Sequence, residues 1–274
     1  MIKPNESNTL TNGINLNSFQ VIKKLATKFD SKYTEKNVMI SASHTHSSLS
    51  GFMSYYAYLA IESYGFNPLV FWSVVDGIVE SISQADSSLT TGKVYVKKGE
   101  LLNNRNRQSG PYELNPETEK EKYEHNTDKE MILLRFEDET GTPIGSFAWW
   151  PVHPISFNGG VNPLVSSDSM GYAALLFDYA MNNGSRAGVG KVVSGFGSSN
   201  LGDVSPTLNA KGDIPDLFDA EKCRLMGTII FEKAMQIFHG EDNSEQLKGS
   251  ITHAHQFVDM SNIEVNVKYY YYRI

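Results

Sequence analysis

The sequence predicts an α/β domain, a mixed β-sheet flanked by helices. Three observations carry this. Period-two alternation, as in Gly92-Lys-Val-Tyr-Val-Lys97, marks strands. Apolar stripes at helical spacing, as in Phe71, Val74, Val75, Ile78 and Ile82, mark amphipathic helices. Met131-Ile-Leu-Leu-Arg-Phe136 and Ile144-Gly-Ser-Phe-Ala-Trp-Trp150 bracket a turn at Asp138-Glu-Thr-Gly-Thr-Pro143, as a hairpin does. Strands and helices mixed in this way argue a mixed sheet.

The elements follow in order. Residues 1–16 are polar and turn-rich and read as a flexible N-terminal segment, with the folded part at 17–274. Phe19, Ile22, Leu25 and Phe29 predict a helix with that stripe toward the core. Asn37-Val-Met-Ile-Ser-Ala-Ser43 reads as a strand. The apolar stretch Tyr55 to Val75 is interrupted by Glu62, Asn67 and Pro68, so it does not qualify as a membrane span. Leu102 to Asn126 is long, polar and without periodicity, which in a compact domain points to a functional or mobile loop. A helix starts after Ser167 or Asp168, both suited to an N-cap. It runs through Tyr172, Leu175, Leu176 and Tyr179 and stops near Asn182-Asn-Gly184. Lys191-Val-Val-Ser194 is a short strand feeding a Gly/Ser/Asn-rich turn. Met226, Ile229, Ile230, Ala234 and Ile237 mark a helix ending at His239-Gly240. Ser250 to Val258 and Ile263 to Tyr270 are strand-like, and no internal repeat is present.

With 274 residues, 40% of them hydrophobic, the chain can bury one large core or two small ones. The net charge is −7 with no basic run, which argues against nucleic-acid binding. Cys223 is the only cysteine, so no intrachain disulfide forms, and on an apparent helix it reads as a small buried hydrophobe. The first residues, Met1-Ile-Lys-Pro-Asn-Glu-Ser-Asn, lack the apolar core of a signal peptide. Asn5-Glu-Ser7 and Asn183-Gly-Ser185 match the glycosylation triplet, a pattern that also arises by chance.

The chemistry concentrates in Ser41-Ala-Ser-His-Thr-His-Ser47 and Trp149-Trp-Pro-Val-His-Pro154. Side chains at i and i+2 of an extended strand share a face, so His44 and His46 aim at one point. His153 follows the second strand. Neutral imidazole is a common zinc ligand, and the bland alternative is a set of buried, hydrogen-bonded histidines. Gly195-Phe-Gly-Ser-Ser-Asn-Leu-Gly-Asp-Val-Ser-Pro206 has the look of a phosphate-cradling loop. It lacks the lysine of a P-loop and the full dinucleotide glycine pattern, so its glycines read as places where backbone comes close to a cleft.

Five blocks in fixed order resemble the neutral ceramidase family. They are Ser43-His-Thr-His-Ser47, Asn126-Thr-Asp-Lys-Glu-Met131, Val152-His-Pro-Ile-Ser156, Ser167-Asp168 with Gly171-Tyr-Ala173, and Ser198-Ser-Asn-Leu-Gly-Asp-Val-Ser-Pro206. The resemblance runs from about Phe19 to about Val265. It implies a zinc-dependent amidohydrolase that cleaves the N-acyl amide of ceramide, or of a related N-acyl sphingoid lipid, to sphingosine and a fatty acid. It implies that 17–274 is a truncated, partial ceramidase-like catalytic domain, and it implies the secretory pathway or the extracellular space, although the chain shows no signal peptide.

Residue by residue, the resemblance makes His44 and His153 metal ligands. His46 lies in the active site without being a primary ligand. It hydrogen-bonds the substrate carbonyl or shuttles a proton, or else it orients His44. Arg107, eight residues before Asn115 of the Asn-Pro pair, faces the cleft and suits an oxyanion; Arg105 is the neighbouring alternative. Asp203 and Asn200 are expected to support the metal from outside its ligand shell; only if the chain by itself proved active would another residue, Asp203, Asp168 or His255, be expected to complete the site. The family's glutamate and tyrosine ligands lie beyond His253-Ala-His-Gln-Phe-Val-Asp259 and are expected to be absent. The family's loop serine has no counterpart between Pro206 and Asn243, and Ser205 does not inherit its role. The alternative expectation is therefore a catalytically inactive, ceramidase-like chain with a lipid-binding or regulatory role.

Overall fold

The computed structural model describes residues 13–52, 65–157, 164–207, 219–240 and 244–254. Expectations that fall elsewhere lie outside the described residues: the strand at 263–270, His255, the glycosylation triplet at Asn5, most of the loop from Thr207 to Asp216, and residues 55–64 of the Tyr55 to Val75 stretch.

Helix α1 (Gly13–Lys28) is followed by α2 (Pro68–Ser87). Then come β1 (Gly92–Glu100), β2 (Asn104–Asn106), and two short helices, α3 (Ser109–Glu113) and α4 (Glu117–Lys120). The hairpin β3 (Glu130–Asp138) and β4 (Pro143–Trp150) leads to α5 (Asp168–Met181), β5 (Val193–Ser198), β6 (Val204–Pro206), α6 (Asp219–His239) and β7 (Ser244–Gln246). None of the described helices is long and apolar enough to cross a membrane.

The main sheet has the order β5-β4-β3-β1-β7; β4 and β5 are parallel and the other pairs antiparallel. It is the mixed sheet that the sequence predicts. The hairpin turn is held by Asp138, whose Oδ1 accepts from the Thr140 and Thr142 amides while Gly141 takes φ +86°. Met131 and Leu133 of β3, Ala148 and Trp150 of β4 and Phe196 of β5 share a core with Met170, Ala173 and Phe177 of α5 and Ile230, Ala234 and Phe238 of α6. That alternation in β3 and β4 is the period-two face of a sheet covered by helices. The helices cross closely because α6 carries Gly227 at the crossing: a Cβ there would stand 2.7 Å from Tyr172 and 2.9 Å from the Ser169 carbonyl. Lys97, buried, donates to the Phe238 and Gly240 carbonyls and so closes the C-terminal end of α6.

A second cluster joins α1 and α2 through Val21, Leu25, Phe52, Phe71, Val75, Ile78 and Ile82. The α2 stripe matches its prediction, with Asn67 as N-cap and Pro68 at the first turn. The α1 stripe is rotated: Val21 and Leu25 are buried while Phe19 is 62% exposed. The pair at i and i+4 defines the buried face here, and Phe19 falls off it. Helix α1 also begins at Gly13, inside the segment expected to be flexible.

Other expectations are corrected. Residues 37–43 do not form a regular strand; a single bridge at Ile40 is all that remains of it. Leu102–Asn126 is not structureless, since it holds β2, α3 and α4. Strand β5 extends through the glycines to Ser198, because Gly197 leaves room for Ser41, Ala42 and Trp149 within 3.2–3.3 Å of where its Cβ would lie. The described part of the 250–258 segment, 250–254, has no strand; the sheet is completed instead at 244–246.

Candidate metal centre

Parallel β4 and β5 deliver their C-terminal ends to the same edge of the sheet, and the chemistry gathers there. The Ser41–His44 segment runs alongside β5: the Ser198 amide donates to the Ala42 carbonyl and the Trp149 indole donates to Ser41 Oγ. His44 then takes φ +61°, a left-handed conformation that a bulky residue adopts only where its surroundings hold it. So the two histidines of the pair do not share a strand face, as the sequence suggests. They converge because the backbone turns at His44.

Thr45, between them, is fully buried. Its hydroxyl donates to the Ser166 carbonyl and accepts from the Ser47 amide, while the Ser166 amide donates to the Ser47 carbonyl. The loop is thereby sewn to the segment that enters α5. Asp168, also buried, uses its carboxylate on the Phe157 and Ser169 amides. It ties the His153 loop to α5 and is engaged as a structural acceptor, not offered to an ion.

His153 is 6% exposed, and its Nδ1 lies 2.6 Å from the Leu201 carbonyl and 3.1 Å from the Val204 carbonyl. Carbonyl oxygens only accept, so Nδ1 carries the proton and Nε2 presents its lone pair. Asn104 steadies the approach to this residue, donating to the Pro151 and Asp128 carbonyls; Lys129 and Thr127 in turn donate to Asn104.

The three imidazoles meet. Ring centroids lie 4.8 Å apart for His44 and His153, 5.0 Å for His44 and His46, and 5.4 Å for His46 and His153. One ligand nitrogen from each falls within 4.8 Å of the others. Burial pushes the His44 pKa down to about 4, and the charges of His153, His46 and Arg107 add to that. Burial, then Arg107, lowers His153 as well. Both rings are therefore neutral at pH 7, the form that binds a cation. One buried and one half-buried neutral imidazole, the first with its tautomer fixed by carbonyls, beside a third exposed one form a donor set that fits zinc. His46 is geometrically as able to reach an ion as the other two, so the structure does not set it apart from the ligands.

Arg107 is exposed, and its charge reaches both His44 and His153. Its amide donates to the Asp203 carbonyl, and the Asp203 carboxylate accepts from Asn106. Asp203 thus fastens the arginine loop to the turn that holds His153. Asn200 is exposed, and it is the carbonyls of Leu201 and Val204 that contact His153. Arg105 instead lines a cavity of about 580 Å³ beside β2 with Tyr112, Glu113, Tyr123 and His125. None of the three histidines lines that space. Convergent ligand nitrogens point to the histidines and not to that cavity, and chemistry follows donor atoms. Sequence reasoning missed Thr45, Asn104, Lys129 and Ser198. Thr45, Lys129 and Ser198 lie inside the five blocks and Asn104 lies outside them; Thr45, Asn104 and Lys129 are buried, and it is the hydrogen bonds that reveal the role of each.

Residues 10–271 match the family model described as neutral/alkaline non-lysosomal ceramidase, N-terminal. The chain is 35% identical over 271 residues to the neutral ceramidase of Drosophila pseudoobscura pseudoobscura, covering 89% of this chain and 38% of that one. It is 36% identical to neutral ceramidase B of Dictyostelium discoideum, covering 86% of this chain and 36% of the relative. The crystal structure of neutral ceramidase from Pseudomonas aeruginosa superposes with a TM-score of 0.73 at 34% identity, over 83% of this chain and 35% of that one. A ceramidase complexed with C2 gives the same TM-score at 33% identity, over 83% and 34%. The chain therefore spans well under half the length of these relatives.

Proposed function

The chain belongs to the neutral/alkaline non-lysosomal ceramidase family, and on that footing we propose that it carries the histidine half of a zinc-dependent site that hydrolyses the N-acyl amide of ceramide to sphingosine and a fatty acid. The observation that carries the reading is the convergence of His44, His46 and His153 with the His153 tautomer fixed. His44 and His153 hold the ion. When bound, zinc supplies a Lewis acid for the amide carbonyl and brings a water molecule toward ionisation near neutral pH.

The chain's own residues do the rest. Exposed His46, at the mouth of the cluster, donates to the carbonyl oxygen or passes a proton to the departing amine. Arg107 sets a fixed positive charge where negative charge gathers on the tetrahedral carbon's oxygen. Leu49, Leu164 and Val165 are 57%, 65% and 61% exposed, and the Ser47–Ser166 hydrogen bond brings their segments together beside His46. They give a long-chain lipid an apolar rim.

The test measures zinc retention and fatty-acid release from ceramide by the protein that carries this chain. His44→Ala and His153→Ala are expected to abolish both. Arg107→Ala is expected to lower kcat by about 10²–10³-fold, the usual loss of one oxyanion donor, while Arg105→Ala leaves it unchanged. Full zinc and full turnover in the two histidine variants would exclude the proposal.

A further inference from the structure

We propose that Ser198 is a positioning residue: its one hydroxyl clips together the two loops that carry His44 and His153. Ser198 ends β5 and is paired in register with Trp150 at the end of β4. Its Oγ lies 3.0 Å from the Ser43 carbonyl and 2.9 Å from the Val152 carbonyl. Each carbonyl belongs to the peptide unit that enters a histidine, Ser43–His44 in one case and Val152–His153 in the other. The hydroxyl proton is shared between them, so one side chain fixes the orientation of both peptide planes. The Ser198 amide adds a third tie, donating to the Ala42 carbonyl.

The clip matters because neither loop is held by a ladder of its own at this point. The His44 segment has lost its strand geometry, and His44 itself sits at φ +61°. A left-handed histidine relaxes when its neighbours let go. Its flanking carbonyl is fixed by Ser198 on one side, and Thr45 is fixed by Ser166 on the other. The His153 loop is held from below by Leu201 and Val204, which follow Ser198 in the same turn. Ser198 thus hydrogen-bonds both histidine-bearing segments at once. Its effect on a metal is indirect and of the kind outer residues exert, an orientation of ligands.

The inference rests on the metal reading for its consequence but not for its geometry, and the experiment separates the two. Ser198→Ala, Ser198→Cys and Ser198→Thr are compared with the wild-type chain. Cysteine keeps the size with a weaker donor, and threonine keeps the hydroxyl. In the metal-free chain, nuclear Overhauser contacts between the His44 and His153 ring protons are expected in the wild type and in Ser198→Thr. They should be lost or weakened in Ser198→Ala and Ser198→Cys at a nearly unchanged melting temperature. Zinc affinity, read by competition with a chromophoric chelator, should fall by about 10–100-fold in the same two variants and recover in Ser198→Thr. Ring contacts and zinc affinity that persist in Ser198→Ala or Ser198→Cys would overturn the clip. Ring contacts that depend on Ser198 in a chain that binds no zinc would support the clip and overturn the metal reading.

Discussion

The site is made at the scale of single residues, and its least expected member is Thr45. A buried hydroxyl that donates to Ser166 and accepts from Ser47 keeps His44 and His46 on the same side of the loop. Thr45→Val removes both bonds at constant shape and is expected to weaken zinc binding by about 10-fold or more, whereas Thr45→Ser preserves it; equal affinities in a chelator competition would show the hydroxyl to be idle. His44 gives a second prediction. Its folded pKa of about 4 lies below the ordinary 6.5, so between those values the unfolded chain binds a proton that the folded chain refuses. Stability therefore falls as pH drops through that window and is fully present above it. Urea unfolding of the metal-free chain across this range should show the loss, and His44→Gln should reduce it. An undiminished loss in the variant would assign it to other groups. His44, His46 and His153 were legible in the sequence because histidine is rare and its spacing is visible. Their outer partners were not, because serine, threonine and asparagine are common and only burial tells a clip from a surface hydroxyl.

At the scale of elements, the strands and helices with long periodic faces were legible, and the short ones were not. Helix α2 and the β3–β4 hairpin follow their apolar patterns closely. The 37–43 segment looks like a strand, yet it contributes only a bridge at Ile40, since its job is to bend toward His44 and not to continue a ladder. In β5 the glycines that read as a turn belong to the strand, because another segment packs against Gly197. Both misreadings fall beside the histidines, where local pattern yields to the demands of the site. The α5–α6 crossing also bears on the site, because the first turn of α5 holds Asp168 and Ser169. Gly227→Ala places a methyl against Tyr172 and the Ser169 carbonyl. It is expected to destabilise the fold by ~1–3 kcal/mol, as overpacking does. A denaturation midpoint equal to that of the wild type would show that the helices part without cost.

For the whole molecule, the sheet is a device for bringing distant sequence to one edge. Parallel β4 and β5 place Val152–His153 and Ser198–Val204 side by side, and the bent 41–47 loop completes the set across more than a hundred residues of chain. The core under α5 and α6 makes that edge rigid, and β2 with β6 sets Arg107 beside it. Family membership gave the sequence its functional meaning, while the arrangement of donors is a property of the fold. The central claim is that these histidines hold one zinc ion, and zinc K-edge X-ray absorption of the zinc-loaded chain tests it most directly. The account predicts at least two imidazole nitrogens at about 2.0–2.1 Å, with that signal lost in His44→Ala and His153→Ala. A spectrum of oxygen ligands alone, or one unchanged in both variants, would contradict it.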